Sequence, residues 1–149
     1  MGLLRPSETA ATIFTIDYER LLAEGKRTLL FDLDNTLGRH GAERLPDRIV
    51  EFLSSLAEQG FAVGILTNRR RNSDVPAVHA LRERFPVVHA AGKPARGGFL
   101  RLLAMLDGTP NDTVMIGDRR MTDILGANRL GIYSIRVRSR GSEARPHER

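Results

Sequence analysis

The sequence predicts a three-layer α/β/α, Rossmann-like domain built on a mainly parallel sheet of five strands. Apolar segments of strand length alternate with segments whose apolar residues recur at helical spacing, which is the pattern of successive βαβ units. One of these segments, FAVGILT at residues 61–67, is apolar almost throughout, as expected of a parallel strand buried on both faces. A length of 149 residues suits a single domain with a real core.

The predicted elements lie between about residues 13 and 137. Thr15 is the expected N-cap of the first helix, and Gly25 ends it. No element is predicted for residues 1–12, and the polar, basic residues 139–149 are expected to form a disordered tail. Helices are predicted at 15–24, 46–59, 74–85 and 122–130, and a further helix follows the turn at 91–94 and ends near residue 106. Strands are predicted at 28–31, 61–67, 87–90, 112–116 and 132–137.

Composition limits the class and the location of the protein. Hydrophobic residues make up 41% of the chain and charged residues 28%, which is typical of a globular protein in water. No apolar stretch approaches the roughly 18 residues of a membrane span, and the amino end, MGLLRPSETA, lacks the features of a signal peptide. A cytoplasmic location is therefore expected. The absence of cysteine excludes disulfides, cysteine-ligated zinc and a thiol nucleophile.

The net charge of +5 raises the question of nucleic-acid binding. Nearly all the positive charge belongs to arginine, because Lys26 and Lys93 are the two lysines of the chain. Two Tyr, six Phe and no Trp provide few aromatic platforms on which bases could stack. We therefore do not expect nucleic-acid binding to be the main function.

Two carboxylates, Asp32 and Asp34, follow the apolar strand 28–31 directly. Side chains at i and i+2 of an extended chain lie on the same side, so the spacing predicts two carboxylates close together at the carboxyl edge of the sheet. Like charges at that distance raise the pKa of one of them or need a cation beside them, and Mg²⁺ is a suitable oxygen-liganded cation. The alternative is that Asp-x-Asp-Asn serves only as turn chemistry.

Polar residues also follow the other predicted strands, namely Thr67, Lys93, and Asp118 with Asp123. The carboxyl ends of parallel strands lie at one edge, so these residues are expected to converge there with the first carboxylate pair. Two carboxylate pairs, a hydroxyl and an ammonium are the groups needed to attack a phosphoryl group, hold a metal, bind phosphoryl oxygens and offset their charge.

Four short motifs, FDLDNTL, LTN, AGKP and IGDRRMTD, resemble those of the haloacid dehalogenase-like (HAD) phosphatases, and the resemblance covers residues 28–137. Within that superfamily the chain is most similar to the YqeG-type branch of subfamily IIIA, through DNT, TN, KP and GD-x-x-x-TD-x-x-x-x-N, whose last residue is Asn128. That branch includes mitochondrial phosphatidylglycerophosphatases.

The resemblance implies a role for each motif. Asp32 would be the nucleophile that forms an aspartyl-phosphate, and Asp34 would protonate the leaving alcohol and then deprotonate the attacking water. Mg²⁺ would be held by the carboxylates of Asp32 and Asp118 and by the backbone carbonyl of Asp34.

The remaining motif residues would bind or orient. Thr67, with a neighbouring amide, would bind a phosphoryl oxygen, and Lys93 would offset the charge of the carboxylates and the substrate. Asp123 would orient Lys93 or a metal-bound water, although an acidic residue at a helix start can serve the helix dipole instead. Asn68 is assigned either to the phosphate or to the shape of the turn after the second strand.

HAD-like enzymes usually carry a cap domain that closes over small substrates, and the intervals 34–67 and 67–93 are each filled by one predicted helix and one strand. Without a cap, either a large phosphorylated substrate or a second subunit of a homo-oligomer must cover the site. Arginines at 69–71 and 119–120 are placed to contact a second phosphate or an anionic membrane surface, or they form a solvated rim. Phosphatidylglycerophosphate is a candidate substrate through the resemblance to its branch.

Three alternatives stay open at this point. The chain could be a catalytically silent protein that binds phosphate or nucleic acid, or a phosphatase of a small sugar or nucleotide phosphate that is covered by oligomerisation. A dehalogenase or phosphomutase of the same fold is disfavoured by Asp34, because a leaving alcohol needs a proton and a halide does not.

Overall fold

The fold was analysed in a computed structural model, which describes residues 2–70 and 75–138. Six strands form one sheet in the order β1-β6-β5-β2-β3-β4, and all five neighbouring pairs are parallel. This confirms the predicted α/β class, with one strand more than the sequence suggested. The strands are β1 (Glu8–Ala10), β2 (Thr28–Phe31), β3 (Ala62–Leu66), β4 (Val87–Val88), β5 (Thr113–Gly117) and β6 (Tyr133–Val137).

Helices cover both faces of the sheet, which gives the three layers. One face packs against α1 (Tyr18–Ala23), α2 (Asp47–Glu58) and α3 (Pro76–Arg82), and the other packs against α4 (Arg96–Leu106) and α5 (Leu125–Leu130). Shorter helical turns are a 3₁₀ turn at Ile13–Thr15, a second at Pro110–Asp112 and a π-helical turn at Arg120–Ile124.

Strand β2 lies in the middle of the sheet and positions everything that follows it. All four of its residues are buried, and Leu29 and Phe31 join the core on one face while Leu30 joins the core on the other. Phe31 lies level with Ile65 of β3 and Ile116 of β5. Asp32, the next residue, therefore leaves the sheet at its centre, with its amide still bonded to the carbonyl of Ile116.

The strand that the sequence did not predict is β1. Its residues, ETA, contain no apolar run, so no periodic pattern marks them as a strand. Pairing with β6 provides the stabilisation instead: Ser7 donates its amide to the carbonyl of Ser134 at 2.9 Å, and Glu8 lies level with Ile135.

The first helix is shorter than predicted. Thr15 lies in the 3₁₀ turn, where its hydroxyl completes a capping box with Thr12, and the N-cap of α1 is Asp17, whose side chain accepts from the amide of Arg20. Asp17 caps the helix because its carboxylate accepts a hydrogen bond from the amide of the residue three positions further on. Gly25 follows the end of the helix with a φ of 94°, as a helix stop requires.

Other predicted elements differ from the structure at their ends, and the helix predicted to reach residue 85 ends at Arg82. The helix predicted from Thr122 begins as the π-helical turn at Arg120–Ile124 before it becomes α5. The predicted strand 87–90 is only Val87–Val88, because Ala90 has a φ of 44° and leaves the extended conformation. The predicted tail, 139–149, and the start of the predicted helix at Asp74 lie outside the described residues.

No cap domain is present in the described residues between Asp34 and Lys93. The first interval contains a loop, α2 and β3, and the second contains α3 and β4. None of the helices in the described part of the chain has the length and apolar content needed to cross a bilayer.

Candidate active site

Loops that follow four strands bring the predicted site residues to the carboxyl edge of the sheet. Asp32 and Asp34 follow β2, Thr67 and Asn68 follow β3, Lys93 comes after β4, and Asp118 and Asp123 follow β5. A cavity of about 400 Å³ opens at this edge. Its lining includes Asp32, Asp34, Asn68, Arg69, Lys93 and Arg119.

Lys93 is the centre of the buried part of the site. Its Nζ donates to Asp32 Oδ1 at 2.7 Å, to Asp123 Oδ1 at 2.6 Å and to the carbonyl of Leu66 at 2.8 Å. An ammonium has three N–H donors, so all of them are engaged. Burial would lower the pKa of Lys93, but the charges of Asp32 and Asp123 raise it above its usual value, and the side chain stays protonated.

Three carboxylates surround this ammonium. Oxygens of Asp32, Asp118 and Asp123 all lie within 4.8 Å of one another. Burial raises the pKa of Asp32 to about 7, although the charge of Lys93 opposes the rise. Burial, together with the charge of Asp123, raises the pKa of Asp118 to about 6. Three carboxyl groups therefore lie close together beside a single ammonium in the described part of the chain.

Asp118 differs from the other two carboxylates in having an oxygen without a partner. Its Oδ1 is buried and has no hydrogen-bond partner among the described residues. A buried carboxylate oxygen in that state is costly unless a cation or an ordered water contacts it. The Asp118 oxygen thus has the character of a metal ligand.

Asp123 is fixed by the π-helical turn after β5. Its amide bonds to the carbonyl of Arg119 at 2.9 Å, and its Oδ2 accepts from the amide of Arg119 at 3.2 Å. The side chain is fully buried and its Oδ1 contacts Lys93. Asp123 is therefore placed to orient Lys93.

Asp34 has partners of its own, apart from the three-carboxylate cluster. Its Oδ1 accepts from Arg69 Nη2 at 2.6 Å and from the amide of Gly41 at 2.7 Å. Burial would raise the pKa of Asp34, but these hydrogen bonds lower it below its usual value. Strand β2 ends at Phe31, so the alternation that predicted adjacent carboxylates does not extend to Asp34. Asp32 and Asp34 nevertheless line the same cavity.

Thr67 and Asn68 support the neighbouring loops. Thr67 is buried, and its Oγ1 accepts from the amide of Arg69 at 3.0 Å. The side-chain amide of Asn68 contacts the backbone of Lys93 twice, by accepting from its N–H at 2.9 Å and donating to its carbonyl at 3.2 Å. Asn68 thus holds the Lys93 turn in place, and a contact from either residue to phosphate stays a prediction.

Three contributions to the site are not predicted from the sequence. Arg69 lies among the other arginines of its loop in the sequence, whereas its side chain pairs with Asp34 in the structure. Arg136 donates from Nε to the backbone carbonyl of Asp118 at 3.0 Å, and the signal for it was a charged residue inside an apolar strand. Gly117 leaves room for Asp123, because a Cβ there would overlap the Asp123 carboxylate.

The other arginines behave differently from Arg69. Arg70, Arg119 and Arg120 are exposed, and Arg119 lines the cavity. Met121 follows them with 62% of its surface exposed. Arg71, which the sequence grouped with Arg69 and Arg70, lies outside the described residues.

Comparison with known proteins gives consistent matches. A family model described as HAD-hydrolase-like matches residues 90–149. The chain is 31% identical over 132 residues to the protein named "Probable phosphatase YqeG" from Bacillus subtilis (strain 168), covering 89% of this chain and 76% of YqeG. It is 30% identical over 153 residues to the chloroplastic phosphatidylglycerophosphate phosphatase 1 of Chlamydomonas reinhardtii, covering 97% of this chain and 56% of that longer protein.

The fold is shared with solved structures of the same superfamily. YfnB from Bacillus subtilis, described as a HAD-hydrolase bound to magnesium, superposes with a TM-score of 0.59 at 15% identity over 79% of this chain and 96% of that one. Because the identity with YqeG extends over most of both chains, and the motif residues meet at one edge of this fold, the chain belongs to the haloacid dehalogenase-like phosphatases, in the branch that includes YqeG.

Proposed function

We propose that the protein is a Mg²⁺-dependent phosphomonoester hydrolase that works through an aspartyl-phosphate on Asp32. The observation that carries the proposal is the meeting of three carboxylates within 4.8 Å beside the ammonium of Lys93, where Asp32 and Lys93 line a cavity. A carboxylate nucleophile, a cation site and fixed positive charge are the groups that phosphoryl transfer requires.

The chemistry of the cluster supports a divalent cation. If all three carboxylates are ionised, one ammonium leaves an excess of two negative charges in a largely buried place. Hard oxygen ligands of this kind suit Mg²⁺, and the unpartnered Oδ1 of Asp118 offers one ligand. Asp32, Asp118 and the backbone carbonyl of Asp34 would hold the ion, which would polarise the phosphoryl group and offset its charge.

The chain's own residues would carry the reaction in two steps. In the first, an oxygen of Asp32 forms a bond to phosphorus, the ester P–O bond breaks, and the leaving oxygen takes a proton from Asp34. In the second, Asp34 takes a proton from water as the water attacks phosphorus, and phosphate leaves Asp32.

Lys93 would act through its charge. Its three N–H donors are already engaged, so it holds Asp32 and Asp123 in place and lowers the cost of bringing an anionic substrate to an acidic site. Thr67, whose hydroxyl accepts from the amide of Arg69, and Asn68 remain candidates for contacts to phosphoryl oxygens.

The shape and charge of the opening favour a large anionic substrate. The described residues contain no cap over the cavity, and the exposed Arg119 lines it. Arg120 and Met121, which follow Arg119, and Arg70, which follows the lining residue Arg69, are exposed as well. Arginine recognises phosphate well, and an apolar side chain among arginines suits the surface of an anionic bilayer. A lipid-linked phosphomonoester such as phosphatidylglycerophosphate fits these features, and one relative is named as a phosphatase of that lipid.

The test is hydrolysis of p-nitrophenyl phosphate with Mg²⁺ and with EDTA, by the wild-type protein and by Asp32→Asn. We expect activity only when Mg²⁺ is present and Asp32 is intact. Asp107→Asn is the matched control, because Asp107 is an exposed residue at the far end of α4, and this variant should retain activity. Metal-independent turnover, or full activity of Asp32→Asn, would be inconsistent with the mechanism.

The substrate class is tested with phosphatidylglycerophosphate in vesicles and glycerol 3-phosphate in solution. We expect a higher kcat/KM for the lipid, and a loss of this preference in Arg119→Gln/Arg120→Gln. Equal kcat/KM values for the two substrates would argue against lipid recognition.

A further inference from the structure

Arg69 differs from its neighbours because its side chain is engaged inside the site. Nη2 donates to Asp34 Oδ1 at 2.6 Å, and Nη1 donates to the carbonyl of Ala42 at 3.2 Å. Only 10% of the side chain is exposed, whereas Arg70 is exposed to solvent. The guanidinium therefore joins the loop after β3 to the loop after β2.

The backbone of Arg69 is fixed as well as its side chain. Its N–H donates to Thr67 Oγ1 at 3.0 Å, and its carbonyl accepts from the amide of Ala90 at 2.8 Å. These two bonds tie Arg69 to the carboxyl ends of β3 and β4. A planar guanidinium whose backbone is fixed holds its hydrogen-bond partner in one orientation. A mobile surface arginine does not do this.

The contacts to Asp34 are one-sided. The bond from Arg69 and the bond from the amide of Gly41, at 2.7 Å, both end on Oδ1. Neither of them uses Oδ2. Two donors from two different loops thus set the plane of the carboxyl group, and Oδ2 is the oxygen that these bonds leave for chemistry.

We propose that Arg69 is a positioning residue for proton transfer: by holding Oδ1 of Asp34 it places Oδ2 against the leaving oxygen of the ester. This inference rests on the proposed phosphatase mechanism. As Asp32 forms its bond to phosphorus and the ester P–O bond breaks, the electron pair of that bond goes to the ester oxygen, which takes a proton from Oδ2. Hydrogen bonds from Arg69 and Gly41 lower the pKa of Asp34 in the free protein, whereas the negative charge of a bound phosphomonoester raises it and favours the protonated carboxyl group.

Such a role predicts a dependence on the leaving group. p-Nitrophenolate leaves without a proton because its charge is delocalised, whereas the alkoxide from benzyl phosphate needs one. Loss of Arg69 should therefore slow the hydrolysis of benzyl phosphate far more than the hydrolysis of p-nitrophenyl phosphate. The comparison uses kcat/KM, which covers the steps through the first irreversible one and so reports the phosphoryl transfer to Asp32.

The experiment measures kcat/KM for both substrates in the wild type, Arg69→Met and Arg69→Lys. We expect Arg69→Met to lose about 10- to 100-fold on benzyl phosphate and less than about threefold on p-nitrophenyl phosphate. Arg69→Lys, which keeps a charge and a donor, should recover part of the loss. Arg101→Gln, an exposed arginine of α4, is the matched control and should behave as the wild type.

A double variant separates positioning from other roles. If Arg69 acts through Asp34, adding Arg69→Met to Asp34→Asn should cost little more on benzyl phosphate than Asp34→Asn alone. Equal losses on both substrates, or additive losses in the double variant, overturn the inference. A rise in KM confined to substrates with a second anionic group, with unchanged leaving-group dependence, also overturns it.

Failure of the inference can be told from failure of the proposed function. A wild-type protein that hydrolyses neither substrate with Mg²⁺ overturns both. An active wild type whose Arg69→Met variant is slowed equally on both substrates overturns only the role of Arg69.

Discussion

The carboxylate of Asp123 fills the space beside Gly117 that any side chain at that position would need. A Cβ built on Gly117 overlaps both the carboxylate carbon and an oxygen of Asp123. The φ of Gly117 is not in the left-handed region, so close packing is the reason that glycine is required there. Through this contact the end of β5 sets the position of a carboxylate that Lys93 depends on.

Replacing Gly117 by Ala should therefore disturb the site through Asp123. The new methyl group would push the carboxylate away from Lys93, and we expect kcat/KM for p-nitrophenyl phosphate to fall by about 100-fold. Gly97→Ala is the control, because a Cβ at Gly97 meets nothing within 4 Å and activity should be kept. Wild-type activity in Gly117→Ala would show that Asp123 does not need its present position.

Lys93→Met tests the buried ion pairs. The variant leaves Asp32 and Asp123 buried without their ammonium, and removing one partner of such a pair costs about 3–5 kcal/mol. We expect urea denaturation to show a loss of that size in the free energy of unfolding.

Lys26 provides the matched comparison for that measurement. Its Nζ donates to the carbonyl of Asn111 at 2.8 Å in an exposed hydrogen bond and lies 5.4 Å from the centre of the Tyr133 ring, so Lys26→Met should cost only about 1 kcal/mol. Similar losses in the two variants would mean that the Lys93 network adds little to stability.

The parts of the site that the sequence predicted are those that depend on local patterns. A strand is marked by its apolar run. Because Asp32, Lys93 and Asp118 each follow such a run and parallel strands end at one edge, the sequence predicts that they lie together at that edge, and the structure brings them there; their roles stay predictions. The sheet then brings them together regardless of their separation in the sequence. The predicted location of the site followed from the predicted topology.

What the sequence did not reveal depends on side-chain packing between loops. Arg69 and Asp34 are 35 residues apart, and no periodicity tells that Arg69 turns inward while Arg70 stays exposed. Strand β1 has no apolar pattern and forms only because β6 offers it a partner. The π-helical turn that carries Asp123 likewise reflects contacts with Gly117 and Lys93, which local propensity does not encode.

The acidic cluster should make the effect of Mg²⁺ on stability depend on pH. Burial raises the pKa of Asp32 to about 7 and of Asp118 to about 6, from an ordinary value of 3.8. Groups whose pKa is raised on folding contribute stability that is full below about pH 4 and is lost as the pH rises through about 6 to 7. A cation binds the ionised carboxylates, and this binding restores the folding stability that is lost when the carboxyl groups ionise.

We therefore expect Mg²⁺ to raise the Tm more at about pH 8 than at about pH 5. Differential scanning calorimetry with Mg²⁺ and with EDTA measures the difference. Asp118→Asn removes one of the carboxylates and should reduce the shift at the higher pH. An equal shift of the Tm at both pH values would argue against binding of the ion at this cluster.

Arg136 should control the affinity for Mg²⁺ without touching the ion. Its Nε donates to the backbone carbonyl of Asp118 at 3.0 Å, and it lies in β6 level with Gly117, so it holds the loop that carries Asp118, the proposed metal ligand. Groups that orient a ligand in this way typically change metal affinity by about 10- to 100-fold, and we expect Arg136→Met to raise the Mg²⁺ concentration for half-maximal activity by about tenfold. Arg138→Met changes an exposed arginine two residues further on and should leave that concentration as it is in the wild type. A loss of maximal activity at saturating Mg²⁺, with no change in the half-maximal concentration, would instead assign Arg136 to the geometry of the reaction rather than to metal binding.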